Sequence, residues 1–184
     1  MAGRVKPHDS LTVDEYLKLE ESATVRHEYV GGEIFAMVGA TKRHNRIAGN
    51  MYATLLGAAR NSRCRVYMET VKLRAAADTV YYPDVMVACG PEPEDPYVEN
   101  EPCLVVEVVS SSTETTDRRE KLATYKRMPG LEAYLIVSQD RQWVERHFRA
   151  DGGTWSRADL VDEGRVPIPC PETELSLEQI YEGL

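Results

Sequence analysis

The sequence predicts a single α/β domain over residues 1–184, a mixed central sheet flanked by helices with an N-terminal helix and hairpin in front. Three observations predict it. The middle of the chain reads helix, strand, strand, strand, helix, strand, strand, an order that packs as helices on a mixed sheet. The run CLVVEVVS at 103–110 is almost wholly apolar, the pattern of a strand covered on both faces. The length of 184 residues, with 42% apolar and 28% charged, suits one globular core.

The elements follow in order. Thr12 and Glu15 stand at capping-box spacing, so a short amphipathic helix carrying Tyr16 and Leu17 begins there. EYVGGEIFAMV at 28–38 places two β-like runs around Gly31-Gly32, a hairpin. HNRIAGNMYATLLGAAR at 44–60 reads as a helix with Ile47, Met51, Leu55 and Ala58 on one face. CRVYMETVKLRA at 64–75 reads as one half-exposed strand. VYYPDVMVAC at 80–89 reads as the next, with a bend or bulge at Pro83, which removes a ladder donor beside Asp84. Residues 90–102 hold four prolines and five acids, a loop. After the 103–110 strand, SSTETTDRREKLATYKRMPG runs from cap-type residues through a helix to its stop at Pro129-Gly130. LEAYLIVS and QWVERHFRA form a hairpin around QDRQ. The remainder reads as irregular and acidic, closing on a short helix in LEQIYEGL.

Composition narrows the function classes. No stretch approaches the roughly 20 apolar residues of a membrane span, and the polar start carries no apolar signal region, so a cytoplasmic location is expected. The net charge of −8 argues against a protein that coats DNA nonspecifically. Its distribution is uneven: residues 42–76 sum to +7, residues 77–114 to −9 and residues 115–127 to +3. This is either scatter on solvated faces or an acidic pocket that collects a cation, flanked by basic elements that meet phosphates. Lys42, Arg43, Arg46, Arg65, Lys72 and Arg74 are the basic candidates, provided the fold gives them one face. Cys64, Cys89, Cys103 and Cys170 form no CxxC pair and read as buried free thiols rather than a zinc site or disulfide framework. There is no GxSxG, P-loop or GxGxxG.

Glu107 is the most informative residue. It stands among Leu104, Val105, Val106, Val108 and Val109. Burying an ionised carboxylate there costs several kcal/mol unless a cation or hydrogen bonds compensate. The plain alternative is a strand-end Glu that reaches solvent or pairs with a structural Arg. Asp84, after Pro83, is either a bulge cap or a second carboxylate at the end of an adjacent strand. Two such carboxylates can share one hard divalent cation with waters and phosphate oxygens. Lys121 falls at the edge of the inward face of its helix, or pairs with Asp117 at i,i+4. His44, opening its helix, suits a phosphate contact or acid/base work, or equally a surface role. Glu28 and Glu33 flank the hairpin, where exposed carboxylates are ordinary, and Glu69 is ambiguous.

Taken together, YPDVMVA, LVVEVVSSST and DRREKLATYKRMPGLEAYLIV closely resemble the signature of the Uma-type family of restriction-endonuclease-like proteins. LTVDEYLKLEE, HEYVGGEIFAMVGATKRHNRIAGNMYATL and LSLEQIYEG extend the likeness over nearly the whole chain. The resemblance implies a restriction-endonuclease-like PD-(D/E)XK core, ordered α-β-β-β-α-β, and a metal-dependent nuclease. It matches Asp84 to the PD aspartate and Glu107 to the (D/E)XK acid. The superfamily's lysine position holds Val109, and the resemblance assigns its part to Lys121 on the following helix. It also matches His44 to a helix histidine and Glu28 to a glutamate before the hairpin.

The expected function is therefore a Mg2+- or Mn2+-dependent endonuclease acting on DNA. Asp84 and Glu107 would hold the metal, Lys121 would position water or stabilise charge, and His44 and Glu28 would be accessory. A catalytically silent nucleic-acid-binding or regulatory module on the same fold is the alternative, and a partner-binding protein without nuclease chemistry is a third. A homodimer is compatible with nucleases that cut two strands as a two-fold pair. No membrane partner is expected.

Overall fold

The computed structural model describes residues 4–5, 10–110 and 117–184, the side chains of residues 4, 5, 117 and 118 excepted. Helix α1 spans Val13–Glu20, and its capping box is made as the spacing predicts: the Thr12 hydroxyl accepts from the Glu15 amide, while the Glu15 carboxylate accepts from the Thr12 amide. The hairpin is β2 (His27–Val30) and β3 (Glu33–Ala36), which pairs with β1 (Arg4–Val5). Gly32 turns at φ +92°, and a Cβ there would lie 2.7 Å from the Ser10 Cβ, so the turn demands glycine twice over.

Helix α2 spans Lys42–Ala59. Thr41 caps it, its hydroxyl accepting from the His44 amide, so the helix starts just ahead of His44. Ile47, Met51 and Leu55 are fully buried, as the spacing predicts. The inward face then continues through Ala59, and Ala58 is exposed. Four residues separate Leu55 from Ala59, which keeps the stripe on the 3.6-residue period.

The two runs read as single strands are each divided between two sheets. Residues 64–75 form β4 (Arg65–Met68) and β5 (Lys72–Ala76). Residues 79–88 form β6 (Thr79–Tyr81) and β7 (Val85–Ala88). β4 pairs with β7 and β5 with β6, so the chain leaves one sheet and re-enters it at neighbouring points. Glu69, a non-glycine residue at φ 51°, makes the first crossing, and the Tyr82-Pro83-Asp84 corner makes the second.

β8 (Val98–Glu99), within the proline-rich loop, and β9 (Leu104–Val109) follow, then α3 (Asp117–Tyr125), β10 (Ala133–Ser138) and β11 (Trp143–Arg149). The cap-type residues read ahead of α3, 111–116, lie outside the described residues. The tail read as irregular supplies β12 (Trp155–Val161), a β13–β14 hairpin (Arg165–Ile168, Thr173–Ser176) and α4 (Leu177–Ile180). Charged positions on the exposed edge strand β12 hide its strand character from a hydropathy reading.

The central sheet has the order β12-β11-β10-β9-β7-β4, with β9 and β10 parallel and the remaining pairs antiparallel. Read along the chain, its core is α2-β4-β7-β9-α3-β10, the predicted α-β-β-β-α-β order. The second sheet, unforeseen beyond its hairpin, has the order β1-β3-β2-β6-β5-β8. One face of the central sheet (Val85, Val87, Leu104, Val106, Leu135) packs on α2 and the C-terminal segment. The other (Met86, Val105, Tyr134, Ile136) packs on Tyr125 of α3 and on Leu73 and Tyr81 of the second sheet. Each large apolar side chain so buried contributes about 1.5–3 kcal/mol.

The cysteines are not free. Cys64 is bridged to Cys89 and Cys103 to Cys170. Cys64 and Cys89 lie one step beyond the Arg65–Ala88 pair of β4 and β7, while the β13–β14 connection brings Cys170 to the start of β9. These are long-range approaches, to which spacing along the chain is blind.

The register of α2 gives a stability test. Leu55→Ala should lower the unfolding free energy in urea by about 2–5 kcal/mol. Ala58→Gln should change it by less than about 0.5 kcal/mol. A large loss from Ala58→Gln would mean that the helix is rotated from the orientation described.

Candidate active site

Asp84 and Glu107 meet because β7 and β9 are antiparallel neighbours. Val85 pairs with Val106, so Asp84 and Glu107 stand one step further along at the same end of the sheet. The Val108 amide donates to Asp84 Oδ2 at 2.6 Å, tying the corner to the end of β9. The same Oδ2 lies 3.2 Å from His44 Nε2, which α2 presents from the first face of the sheet. Among the described residues these bonds reach only Oδ2, and His44 Nδ1 is buried without a partner.

Glu107 is 8% exposed. Its Oε1 accepts from Lys121 Nζ at 3.2 Å and from Tyr125 Oη at 2.9 Å. Both donors come from α3, four residues apart on one helical face. Lys121 Nζ also donates to Glu28 Oε1 at 2.7 Å and lies 5.0 Å from the centre of the Tyr81 ring. The hairpin of the second sheet thus delivers Glu28 against a helix of the first, and Lys121 bridges two carboxylates. Asp117, the other partner considered for Lys121, has its side chain outside the described residues.

The electrostatics follow from this burial. Desolvation pushes the Glu107 carboxyl up to about 7, the Lys121 charge pulling against it and the charges of Asp84 and Glu28 adding to it. Burial alone would lower Lys121, but Glu107 and Glu28 more than reverse this and hold it well above its ordinary value. Burial also opposes charge on His44, yet the Asp84 hydrogen bond and charge, with Glu69 and Glu107 behind, raise it.

The structure therefore gathers Asp84, Glu107, Lys121, His44 and Glu28 at one end of the central sheet. Two contributors carried no assigned role in the sequence reading. Tyr125 is fully buried and donates to Glu107, and its place four residues after Lys121 was the available signal. Glu69 donates its amide to the Asp84 carbonyl at 3.3 Å. No sequence pattern marks its left-handed backbone. Three of the basic residues are engaged elsewhere. Arg65 is held by Glu99 and the Gly90 carbonyl at the far end of β4, Lys72 lies over the Tyr82 and Tyr97 rings, and Arg74 donates to Ala77.

The donor set fits a hard divalent cation. Structural hydrogen bonds occupy Glu107 Oε1 and Asp84 Oδ2, leaving Oε2 and Oδ1 without hydrogen bonds among the described residues. Glu107 is a carboxylate whose ionised form lacks full compensation, the condition that a bound cation relieves.

Known proteins share sequence and fold with this chain. Residues 13–179 match the Uma2 family, described as "Putative restriction endonuclease". A protein of Synechocystis, "Uncharacterized protein slr1290", is 31% identical over 97% of this chain and 95% of its own length. A second from the same organism, sll1609, is 31% identical over 83% and 89% of the two chains. The crystal structure of a putative nuclease belonging to DUF820 from Anabaena variabilis superposes with a TM-score of 0.73 at 20% identity, covering 93% of this chain and 97% of that one. The fold is shared.

The raised Glu107 pKa has a consequence for stability. Between about 4.5, the ordinary value, and about 7, the folded chain keeps a proton that the unfolded chain has lost. The Glu107 contribution to stability therefore falls as pH rises through that window. In urea titrations without added metal, the stability of Glu107→Gln relative to wild type should grow from pH 4.5 to 7 and then level off. A difference that is flat across the window would refute the buried, undercompensated carboxylate.

Proposed function

Because the chain belongs to the Uma2 family of putative restriction endonucleases, we propose that it is a divalent-metal-dependent endonuclease that hydrolyses phosphodiester bonds in DNA. The observation that carries the proposal is the Glu107 carboxylate, buried on β9 one register step from Asp84 and held by Lys121 at 3.2 Å. Asp84 and Glu107 would hold Mg2+ or Mn2+ through the oxygens left without hydrogen bonds. A cation there would neutralise charge on a phosphate and acidify a water.

The chain's own residues would do the rest. Lys121, 3.2 Å from Glu107 Oε1, would take the part of the superfamily's strand lysine, whose position holds Val109. Its ammonium would orient the attacking water and offset charge developing on the phosphoryl oxygens. Glu28 would hold Lys121 protonated and pointed inward. Tyr125 would fix Glu107 Oε1. His44, with Nε2 on Asp84 and its charged form favoured, would be accessory, holding Asp84 Oδ2 in place. No helix among the described residues is long and apolar enough to cross a membrane. A DNA substrate would put the work of the protein in the cytoplasm, and a two-fold homodimer would cut both strands.

The second reading is a silent nucleic-acid-binding or regulatory module. It is favoured by Val109 and the net charge of −8, and by an ammonium already committed to two carboxylates.

Cleavage of plasmid and oligonucleotide DNA with Mg2+ or Mn2+ separates the readings. Lys121→Ala should fold and bind metal but lose at least about tenfold in rate, a floor under the about 10²–10³-fold typical of removing one charge-stabilising group. Asp84→Asn should be inactive, and Glu107→Gln should lose divalent binding in a metal titration. Equal rates for wild type and Lys121→Ala would remove the lysine's role while leaving the metal site. Wild type that binds metal yet cuts no nucleic acid would establish the silent module.

A further inference from the structure

The two disulfides touch. Cys89 Sγ lies 3.5 Å from Cys103 Sγ, so the four cysteines form one sulfur cluster rather than two separate bridges. We propose that Cys64, Cys89, Cys103 and Cys170, once reduced, form a tetrahedral thiolate site for one zinc ion.

The spacing of the sulfurs carries the argument. The Sγ atoms of Cys89, Cys103 and Cys170 all lie within 4.8 Å of one another, and Cys64 Sγ is bonded to that of Cys89. Zinc–sulfur bonds of about 2.3 Å in a tetrahedron set neighbouring sulfurs about 3.8 Å apart, a spacing within reach of the three mutually close sulfurs, with Cys64 free to swing in as the fourth once its bond to Cys89 is reduced. Stapling a chain needs sulfurs only in pairs. Three sulfurs gathered together, with a fourth attached to one of them, are what a metal site can be built from.

The cluster joins four segments: the chain before β4, the end of β7, the start of β9 and the β13–β14 connection. It is distant from the acids. Cys89 follows β7 whereas Asp84 precedes it, a separation of about 16 Å at the ordinary strand rise. Cys103 and Cys170 are buried, each 7% exposed, while Cys64 and Cys89 are half-buried and offer the path for reductant and ion. In a reducing compartment such bridges do not persist, and four adjacent thiols would otherwise be left within the packed core.

The chemistry balances. Each bridge takes two electrons and two protons from a dithiol, which leaves as a disulfide. Zinc then displaces the four thiol protons and binds four thiolates, so uptake releases acid and adds to folding stability.

The test uses the full chain, reduced with a dithiol without oxygen and titrated with Co2+. A tetrahedral thiolate site gives sulfur-to-cobalt charge-transfer and intense visible bands that an oxygen site lacks. One equivalent of Co2+ should produce them, Zn2+ should abolish them by displacement, and Asp84→Asn should leave them unchanged. Cys103→Ser and the half-exposed Cys64→Ser should each weaken or remove them, with circular dichroism reporting whether each variant is folded. Zn2+ should also raise the Tm of the reduced wild type. The proposal is overturned if folded, reduced wild type gives no thiolate bands at stoichiometric Co2+, if folded Cys64→Ser gives bands of full strength, or if the folded chain keeps both bridges under the dithiol.

Discussion

An ionised carboxylate in the middle of LVVEVV has few places to go. Water is excluded by the sheet on either side, and an uncompensated charge in such a position costs several kcal/mol. Lys121 answers Glu107 with charge and Tyr125 with a hydroxyl, and both come from one face of α3. That requirement fixes how α3 must lie across the sheet. Lys121 in turn is too buried to stand with one partner, and Glu28 from the hairpin completes its shell. The second sheet is drawn to the first by this polar knot as well as by the Leu73 and Tyr81 packing. A weak helix such as DRREKLATY, with few apolar residues of its own, is held by the same contacts.

The two-sheet architecture also explains why the acids converge where they do. Both crossings between sheets fall at one end of the β4–β7 pair, at Glu69 and at Pro83-Asp84. Strand ends are where backbone amides come free of the ladder, and Asp84 takes one of them from Val108. The site thus stands on regular strands and a helix, while the corner that carries Asp84 is pinned from both sides. Each of the two carboxylates has one oxygen tied to the scaffold and one without a hydrogen bond among the described residues.

Much of this was legible in the residues. Glu107 announced itself by its apolar neighbours, Asp84 by Pro83, and the hairpin by Gly31-Gly32. The caps at Thr12 and the apolar period of α2 placed two helices, with the final turn displaced from Ala58 to Ala59. What was not legible depends on distance along the chain. Nothing in METV or YYPD says that a strand will end and resume in another sheet, because both halves carry the same alternation. Glu28 looks like any hairpin acid until α3 is laid beside it. The cysteines are separated by 25 and 67 residues within their bridges, and only the closed fold brings them together.

The C-terminal segment is not an appendage. Val166, Ile168, Leu175, Leu177 and Ile180 line the same core as α2, and the Tyr181 hydroxyl lies within hydrogen-bond reach of the carbonyls of Ser138 and Trp143 at the turn between β10 and β11. During synthesis, the face of the central sheet over α2 is therefore still open when β12 leaves the ribosome. The strands that carry the acids must wait, paired but half-covered, until roughly twenty further residues emerge, at synthesis rates of about 5–20 residues per second. For about that interval of one to a few seconds this face of the nascent sheet has α2 alone as its cover.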